Sequence, residues 1–306
     1  MNISEHKGYT KEMKNIIELR DVSKLYGFGD ATTVAVEEVS LRVKKGEFVA
    51  VMGPSGSGKS TLMNLIGLLD RPTQGTYLLQ GKNVARFSKW RQARYRRDRL
   101  GFVFQSFHLL PSMTALENVA LPLAYRGITQ TRRLTQAGNA LERVGLADRE
   151  FFYPKQLSGG QLQRVAIARA IVNNPEVIIA DEPTGNLDSA ASRLVMELLS
   201  DLHTSGHTVL MVTHNPELTR YASRVIYMHD GVIIADEDSD IGSVPTLAKK
   251  MYFRARKTED DDLAGVSALM DAVPQKDSNN KTKKKPVKKR RTKSKTKKPK
   301  SRSTSK

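Results

Sequence analysis

The chain has 306 residues, a net charge of +18 and no cysteine, so disulfides and cysteine-ligated metals are excluded. Residues 281–306 hold fifteen Lys or Arg and no Asp or Glu, which leaves only +3 for residues 1–280. The high charge therefore says nothing about partners of the folded part. No apolar run reaches the 18 or so residues needed to cross a bilayer, and residues 1–14 lack the apolar core of a secretory signal. We expect a soluble, cytoplasmic protein.

The first predicted elements are strands, which are β-branched and apolar with turn residues between them. They lie at residues 16–22, 34–43 and 48–52. A Gly-rich loop follows at residues 53–58. Residues 59–69 then have a helical pattern, which the turn residues 70–72 end.

The second half of the chain alternates strands and helices. Short apolar runs at residues 177–180 and 208–212 predict buried parallel strands. The helix between them is stopped by Gly206. Its predicted apolar face consists of Leu194, Val195, Leu198, Leu199 and Leu202. This alternation predicts an α/β core, into which an Arg- and Leu-rich region at about 87–160 inserts a helical subdomain.

The strongest local signal is the segment 53–61, which fits G-x-x-x-x-G-K-[ST] between a predicted strand and a predicted helix. Its glycines let successive N–H groups point at phosphate oxygens, and the next helix adds its positive end. In this pattern Lys59 reaches the β- and γ-phosphates and the Ser60 hydroxyl ligates Mg²⁺. The predicted nucleotide-binding residues here are Gly53, Ser55, Gly56, Ser57, Gly58, Lys59, Ser60 and Thr61.

Two adjacent acids follow the apolar run 177–180. Asp181 can lie near Mg²⁺, and Glu182 can align or deprotonate a water for in-line attack. Alone, a strand that ends in two acids is more often a solvated turn. Its combination with the phosphate-binding pattern favours a catalytic role.

Residues 157–161 read Leu-Ser-Gly-Gly-Gln and open a largely apolar helix at residues 162–172. Two glycines before a helix provide a second N-terminus that can bind phosphate. A chain with two such sites for one nucleotide makes sense if each works with the site of a partner chain. The candidate residues are Ser158, Gly159, Gly160 and Gln161.

These segments, in this order, resemble the motifs of ATP-binding-cassette (ABC) ATPases over residues 16–237. The resemblance implies that Tyr26 stacks on adenine, that Gln105 senses Mg²⁺ and water, and that His214 contacts the γ-phosphate. Asp188 would lie in a loop that crosses a dimer interface. Each of these residues has an ordinary alternative, such as a packed tyrosine or a surface histidine. The ordered set of motifs favours the functional reading.

The resemblance thus implies ATP and Mg²⁺ as cofactors. The catalytic residues would be Glu182, His214 and Gln105, and the metal ligands Ser60, Gln105 and Asp181. It also implies a P-loop NTPase (RecA-like) α/β core with an antiparallel β subdomain and the inserted helical subdomain. The predicted domain plan is an N-terminal extension (1–14), the ATPase domain (15–240), a linker (241–280) and a disordered basic tail (281–306).

Within the family, residues 62–75, 104–111 and 182–188 resemble the macrolide-exporter and lipoprotein-releasing branch. In that branch the ATPase drives a separate membrane permease. The resemblance implies a homodimer, or a heterodimer with a similar ATPase, at the inner face of the cell membrane. The permease would dock in the cleft between core and helical subdomain, beside Gln105.

Two other functions fit the sequence. The ATPase can act in cell division or envelope remodelling without moving a substrate, or on nucleic acid or ribosomes through its basic tail. The tail has too few apolar side chains to form a core, and it would attract anionic lipid or nucleic acid. The Arg-rich residues 91–99 fit a nucleic-acid patch, although the solvated face of a helix is favoured.

Overall fold

The computed structural model describes residues 15–27, 32–239 and 241. The predicted N-terminal extension, the basic tail and all of the predicted linker except Ile241 lie outside the described residues. Every structural statement below refers to the described part of the chain.

Two sheets form the domain, a four-stranded antiparallel sheet and a six-stranded, mostly parallel one. Within the described residues the strands are β1 (Asn15–Tyr26), β2 (Thr33–Lys44), β3 (Phe48–Met52), β4 (Gln74–Leu79), β5 (Lys82–Asn83), β6 (Leu100–Phe104), β7 (Val177–Asp181), β8 (Thr208–Val212), β9 (Arg224–His229) and β10 (Val232–Asp238). The antiparallel sheet has the order β2-β1-β4-β5, and the larger sheet has the order β10-β9-β3-β8-β7-β6. In the larger sheet only β10 runs antiparallel to its neighbour. The predicted α/β class with an antiparallel β subdomain is confirmed.

Six α-helices surround these sheets in the described part of the chain. They are α1 (Lys59–Ile66), α2 (Lys89–Arg99), α3 (Ala115–Tyr125), α4 (Gln130–Arg143), α5 (Gly159–Ile171) and α6 (Ser189–Thr204). None of them is long and apolar enough to span a bilayer.

The large sheet is buried on both faces, which explains its continuous apolar strands. In β7, Val177 and Ile179 join one hydrophobic cluster, with α1 and the antiparallel sheet, while Ile178 and Ala180 join the other, with α3 to α6. Alternate side chains of β3 divide between the two clusters in the same way. Packing on both faces thus fixes the parallel strands. It also fixes the points at which the following loops begin.

The helical subdomain begins later than the predicted boundary near residue 87. Residues 100–104 form β6, which pairs in parallel with β7 and belongs to the core sheet. This short strand directly follows the Arg-rich helix α2, and the sequence pattern did not separate the two. The helices α3, α4 and α5 pack on one another and make up most of the inserted part.

Two helices also differ from the sequence patterns. Helix α1 ends at Ile66, before the predicted residue 69, because Leu68 adopts a left-handed φ of 55° that no helix continues through. In α6, Leu194 is 53% exposed and does not join the buried face formed by Val195, Leu199 and Leu202. The predicted buried face was wrong at this position.

Candidate functional site

Four parallel strands end at one edge of the large sheet, and the candidate residues follow these ends. The register aligns Phe104 of β6, Asp181 of β7 and Val212 of β8 in one row, with Val51 of β3 beside Val212. Ligand sites of open parallel sheets form beyond the carboxyl ends of such strands. The phosphate loop, the acid pair, Gln105 and His214 therefore converge on one edge, as their separate motifs predict.

The loop between β3 and α1 needs glycine at two positions. Gly53 has φ +155°, and a Cβ there would lie 2.2 Å from the carbonyl oxygen of Met228. Gly58 has φ +92°, and a Cβ there would lie 2.4 Å from the carbonyl oxygen of Ala35. Gly58 is also the N-cap of α1 and makes no side-chain cap, so the first N–H groups of the helix are not capped by a side chain. The N–H groups at the start of α1 can therefore bind a phosphate group.

Lys59 folds back over the loop that precedes it. Its Nζ donates to the carbonyl oxygens of Gly53 and Pro54 at 2.8 and 2.6 Å. Burial lowers the pKa of Lys59, while the charges of Glu182 and Asp181 oppose that shift. Burial likewise raises the pKa of Asp181, and the charge of Lys59 opposes it. A cation and two acids thus share the space above the strand ends.

Four other residues of the segment 53–61 carry hydroxyl groups. Ser57 is buried, and its backbone is held by Pro54 and Gly231. Ser55 and Ser60 are exposed, and Thr61 is partly buried. Ser60 and Asp181 are hard oxygen donors of the kind that Mg²⁺ prefers. Among the described residues no group of three or more His, Cys, Asp or Glu side chains could hold a metal ion.

Glu182 and His214 are in direct contact. Glu182 Oε1 lies 2.8 Å from His214 Nδ1 and accepts a 3.0 Å hydrogen bond from the His214 backbone N–H. Glu182 itself has a left-handed φ of 45°, and its N–H donates to Val212 of the neighbouring strand β8. His214 is largely exposed, so the pair opens toward the space where a nucleotide and water would lie.

Gln105 is tied to the loop that carries Asp188. Gln105 Nε2 donates to Asn186 Oδ1 at 3.3 Å. Asn186 Nδ2 in turn donates to the backbone carbonyl oxygen of Gln105 at 3.2 Å. A Cβ on Gly185 would lie 2.6 Å from Gln105 Nε2, so only glycine permits this approach. Asp188 caps α6 by accepting the Ala191 N–H at 2.8 Å.

The segment 158–161 starts α5 with a capping box. Ser158 Oγ accepts the Gln161 N–H, and Gln161 Oε1 accepts the Ser158 N–H at 2.8 Å. A Cβ on Gly160 would lie 2.8 Å from that of Ala191, and one on Gly159 would lie 3.4 Å from Leu187. The two glycines therefore lie against the 186–191 segment.

Tyr26 stands at the end of β1 with its ring 42% exposed. Its hydroxyl donates to Asp70 Oδ2 at 2.9 Å, and Lys24 Nζ lies 4.8 Å from the ring centroid. Lys24 also donates to Asp70 Oδ1 at 2.8 Å. Sequence analysis missed this support, because Lys24 belongs to none of the motifs and Asp70 was interpreted only as a turn residue within the segment 62–75.

The comparisons with known proteins agree with this geometry. Residues 36–185 match the family model described as ABC transporter. The chain is 49% identical over 226 residues to an uncharacterized ABC transporter ATP-binding protein of Bacillus subtilis, covering 74% of this chain and 99% of that one. It is 47% identical to the macrolide export ATP-binding/permease protein MacB of Escherichia coli, covering 79% of this chain but only 38% of MacB.

Solved structures give the same result. A dimeric, post-hydrolysis structure of the ATP-binding cassette MJ0796 bound to ADP and Pi is 43% identical, with a TM-score of 0.68 over 72% of this chain and 98% of that one. A second dimeric structure of that cassette is 44% identical over the same shares, also with a TM-score of 0.68. The chain therefore belongs to the ABC transporter family, as an ATP-binding and ATP-hydrolysing cassette.

Proposed function

We propose that this ATPase powers a separate membrane permease for export, extraction or mechanotransmission, from the cytoplasmic face of the membrane. The observation that carries the ATPase part of the proposal is the convergence of strand ends on Lys59, Asp181 and Glu182, and the groove described below carries the permease part. The Escherichia coli relative MacB combines a region similar to this chain with a permease in one longer protein. The Bacillus subtilis relative is named an ATP-binding protein and is matched over 99% of its length, which supports an ATPase subunit that acts on a separate permease.

The bound nucleotide would be held mainly by the loop 53–61. Its N–H groups and Lys59 neutralise phosphate charge, and Tyr26 offers a ring face for the adenine. Ser60, Asp181 and Gln105 would hold Mg²⁺, which supplies further neutralisation of the phosphate oxygens.

Glu182 is the group best placed to orient a water and accept its proton. Its contact with His214 holds the carboxylate in one orientation, and the exposed imidazole can reach a phosphate oxygen. Orienting the water and neutralising charge account for most of the catalysis in phosphoryl transfer. We assign the catalytic roles to Glu182, His214 and Gln105.

The segment 158–161 would serve the nucleotide of a second copy. Its own neighbours are Leu187 and Ala191, in the loop and helix beyond Glu182. In a head-to-tail dimer, this segment of one chain closes over the phosphate loop of the other. The dimeric structures of the MJ0796 cassette support this arrangement.

A groove beside Gln105 is suited to the permease. It has a volume of about 930 Å³ and lies between α2, β6, α3 and α5. Its lining includes Phe102, Phe104 and Tyr125, together with Trp90, whose side chain is 72% exposed. Arg94, Arg96, Arg97 and Arg169 also line it, and no described acidic residue does. A short cytoplasmic helix with apolar and acidic side chains would fit this groove.

The experiment is purification of the full chain from membranes in mild detergent, with identification of what accompanies it. The expected companion is a protein with transmembrane helices and a large extracytoplasmic domain. The double variant Trp90→Ala/Arg94→Glu should lose that companion, while Arg132→Glu, on the exposed face of α4, should retain it. Ribosomal proteins or nucleic acid as the companion would favour the nucleic-acid alternative instead.

A further inference from the structure

Gln163 is a fully buried glutamine in α5, with 0% of its surface exposed, five residues after Ser158. Buried amides are uncommon because each polar atom taken from water needs a hydrogen-bond partner. The Gln163 Nε2 donates to the carbonyl oxygen of Pro183 at 2.7 Å, and this bond is buried. Its Oε1 is also buried and has no partner among the described residues.

Packing alone does not favour an amide at this position. Methionine has a similar volume and would remove the unpaired Oε1, but it would leave the Pro183 carbonyl oxygen without this donor. The bond to Pro183 is therefore what distinguishes glutamine here from an apolar side chain.

Pro183 directly follows Glu182, and the backbone of this pair is fixed on two sides. On one side the Glu182 N–H donates to Val212 of β8 at 3.0 Å. On the other side Gln163 of α5 binds the next carbonyl, that of Pro183. Glu182 has φ +45°, a strained conformation for a residue with a side chain, so its orientation depends on such outside contacts.

We infer that Gln163 is a positioning residue that couples the start of α5 to the catalytic carboxylate of the same chain. The inference rests on the proposed function, in which residues 158–161 touch the nucleotide held by the partner chain. Helix α5 is hydrogen-bonded from Gly159 onward, so a shift of its first turn also moves Gln163. The Pro183 carbonyl then carries that shift to Glu182. Each nucleotide would in this way adjust the carboxylate that acts on the other.

The first test replaces Gln163 by methionine, which keeps the volume and removes the donor. We expect kcat for ATP hydrolysis to fall at least tenfold and KM to change less than twofold, because the phosphate loop is untouched. The Hill coefficient for ATP should fall toward one. The matched control is Gln92→Met, since Gln92 is another buried glutamine whose amide donates to a backbone carbonyl, that of Val84, away from the site.

The second test is Gln163→Glu, which changes one amide into a carboxyl group. An ionised carboxylate cannot donate to the Pro183 carbonyl, whereas a protonated one can. Because burial raises the pKa of a carboxyl group, activity relative to the wild type should recover as the pH is lowered from 8 toward 6. Because an ionised buried carboxylate also destabilises a fold, thermal unfolding at the same pH values must show the variant folded throughout, so that the recovery reports positioning and not refolding.

Three results would overturn the inference. These are an unchanged kcat in Gln163→Met, an equal loss in Gln92→Met, or a Gln163→Glu variant whose relative activity is independent of pH. The variant Glu182→Gln distinguishes a failure of the inference about Gln163 from a failure of the proposed function. If it abolishes turnover while Gln163→Met does not, only the inference about Gln163 fails. If Glu182→Gln still turns over ATP, the proposed catalytic role fails with it.

Discussion

The hydroxyl of Tyr26 donates a 2.9 Å hydrogen bond to the carboxylate of Asp70, just beyond the helix that follows the phosphate loop. The same carboxylate binds Lys24, whose ammonium group lies over the tyrosine ring. The tyrosine ring is thus tied to the residues just after α1, the helix that begins at the phosphate loop. This arrangement prepares the ring face before a nucleotide binds.

Tyr26→Ala should weaken ATP binding about 5- to 100-fold, because stacking of a base on an aromatic ring contributes roughly 1–3 kcal/mol. Tyr26→Phe keeps the ring and should weaken ATP binding only a few fold. Titration with ATP and with inorganic triphosphate is the measurement. An equal loss for both ligands would mean that Tyr26 does not contact the base.

Lys59→Ala should lose nucleotide affinity and turnover together. A hydrogen bond to a charged group contributes about 1.5–3 kcal/mol, so affinity should fall roughly 10- to 100-fold. Equilibrium binding and steady-state hydrolysis of the same preparation measure both losses. Retained affinity would show that the ammonium group does not reach the phosphates.

Glu182→Gln should bind ATP normally and turn over about a hundredfold more slowly or worse, the usual contribution of a general base. It should accumulate as an ATP-bound dimer on gel filtration. Glu197→Gln, on an exposed position of α6, is the matched control and should behave like the wild type. Near-normal hydrolysis by Glu182→Gln would remove the assigned role.

Ser158→Arg should block closure of the dimer while leaving the phosphate loop of the same chain intact. Nucleotide should still bind the monomer, and hydrolysis should be lost. Ser88→Arg is the control, because Ser88 caps α2 as Ser158 caps α5, and loss of either cap costs about 1 kcal/mol. Full activity of Ser158→Arg in a strictly monomeric preparation would contradict the two-chain site.

Asp98 gives a prediction for stability against pH. The hydrogen bond from Arg97, followed by the charges of Arg97, Arg126 and Arg94, lowers the pKa of Asp98 below its usual value. A lowered pKa in the folded state adds stability at neutral pH, and this is lost as the pH falls from about 3.9 through the folded-state value. Asp98→Asn should therefore be less stable than the wild type at pH 7, and the two should converge in acid. Urea unfolding from about pH 7 down to about pH 2 measures this, and a constant difference would contradict it.

Truncation after Asn280 should leave ATP hydrolysis unchanged and sharply reduce binding to anionic vesicles. Each Lys or Arg near an anionic membrane contributes about 1 kcal/mol, and this attraction decays within a Debye length. Vesicle and RNA binding should be compared with those of the full chain across a salt series. Unchanged vesicle binding with lost RNA binding would favour the nucleic-acid partner, and no change in either would leave the tail a role in solubility.

The sequence predicted best those strands and loops that a short local pattern determines. The strands β3 and β8 have the predicted limits, because a sheet covered on both faces buries five consecutive residues of each strand, and all of them but Thr208 are apolar. The loop after β3 was predictable because contacts at Gly53 and Gly58 admit no side chain, and Gly56 has a φ of +79° that favours glycine.

Features that depend on long-range contacts were not predictable. The end of α1 depends on the conformation of Leu68, and the short strand β6 is defined by its pairing with β7. The contacts of Tyr26 with Asp70 and of Gln163 with Pro183 join residues far apart in the chain. A glutamine inside an apolar helix was the only signal for the second pair, and its partner could not be named from the sequence.

Strand β10 has a further consequence for how copies of the chain meet. It is the outermost strand of the large sheet, and in the described residues only β9 pairs with it. Along it the exposed Ile234 is followed by Asp236, which pairs with Arg224 of β9, and then by Glu237 and Asp238. Like charges along a free edge discourage a second copy from extending the sheet into a fibre. We therefore expect copies of the chain not to associate through this edge strand, which leaves the nucleotide-binding face as the surface through which they would meet.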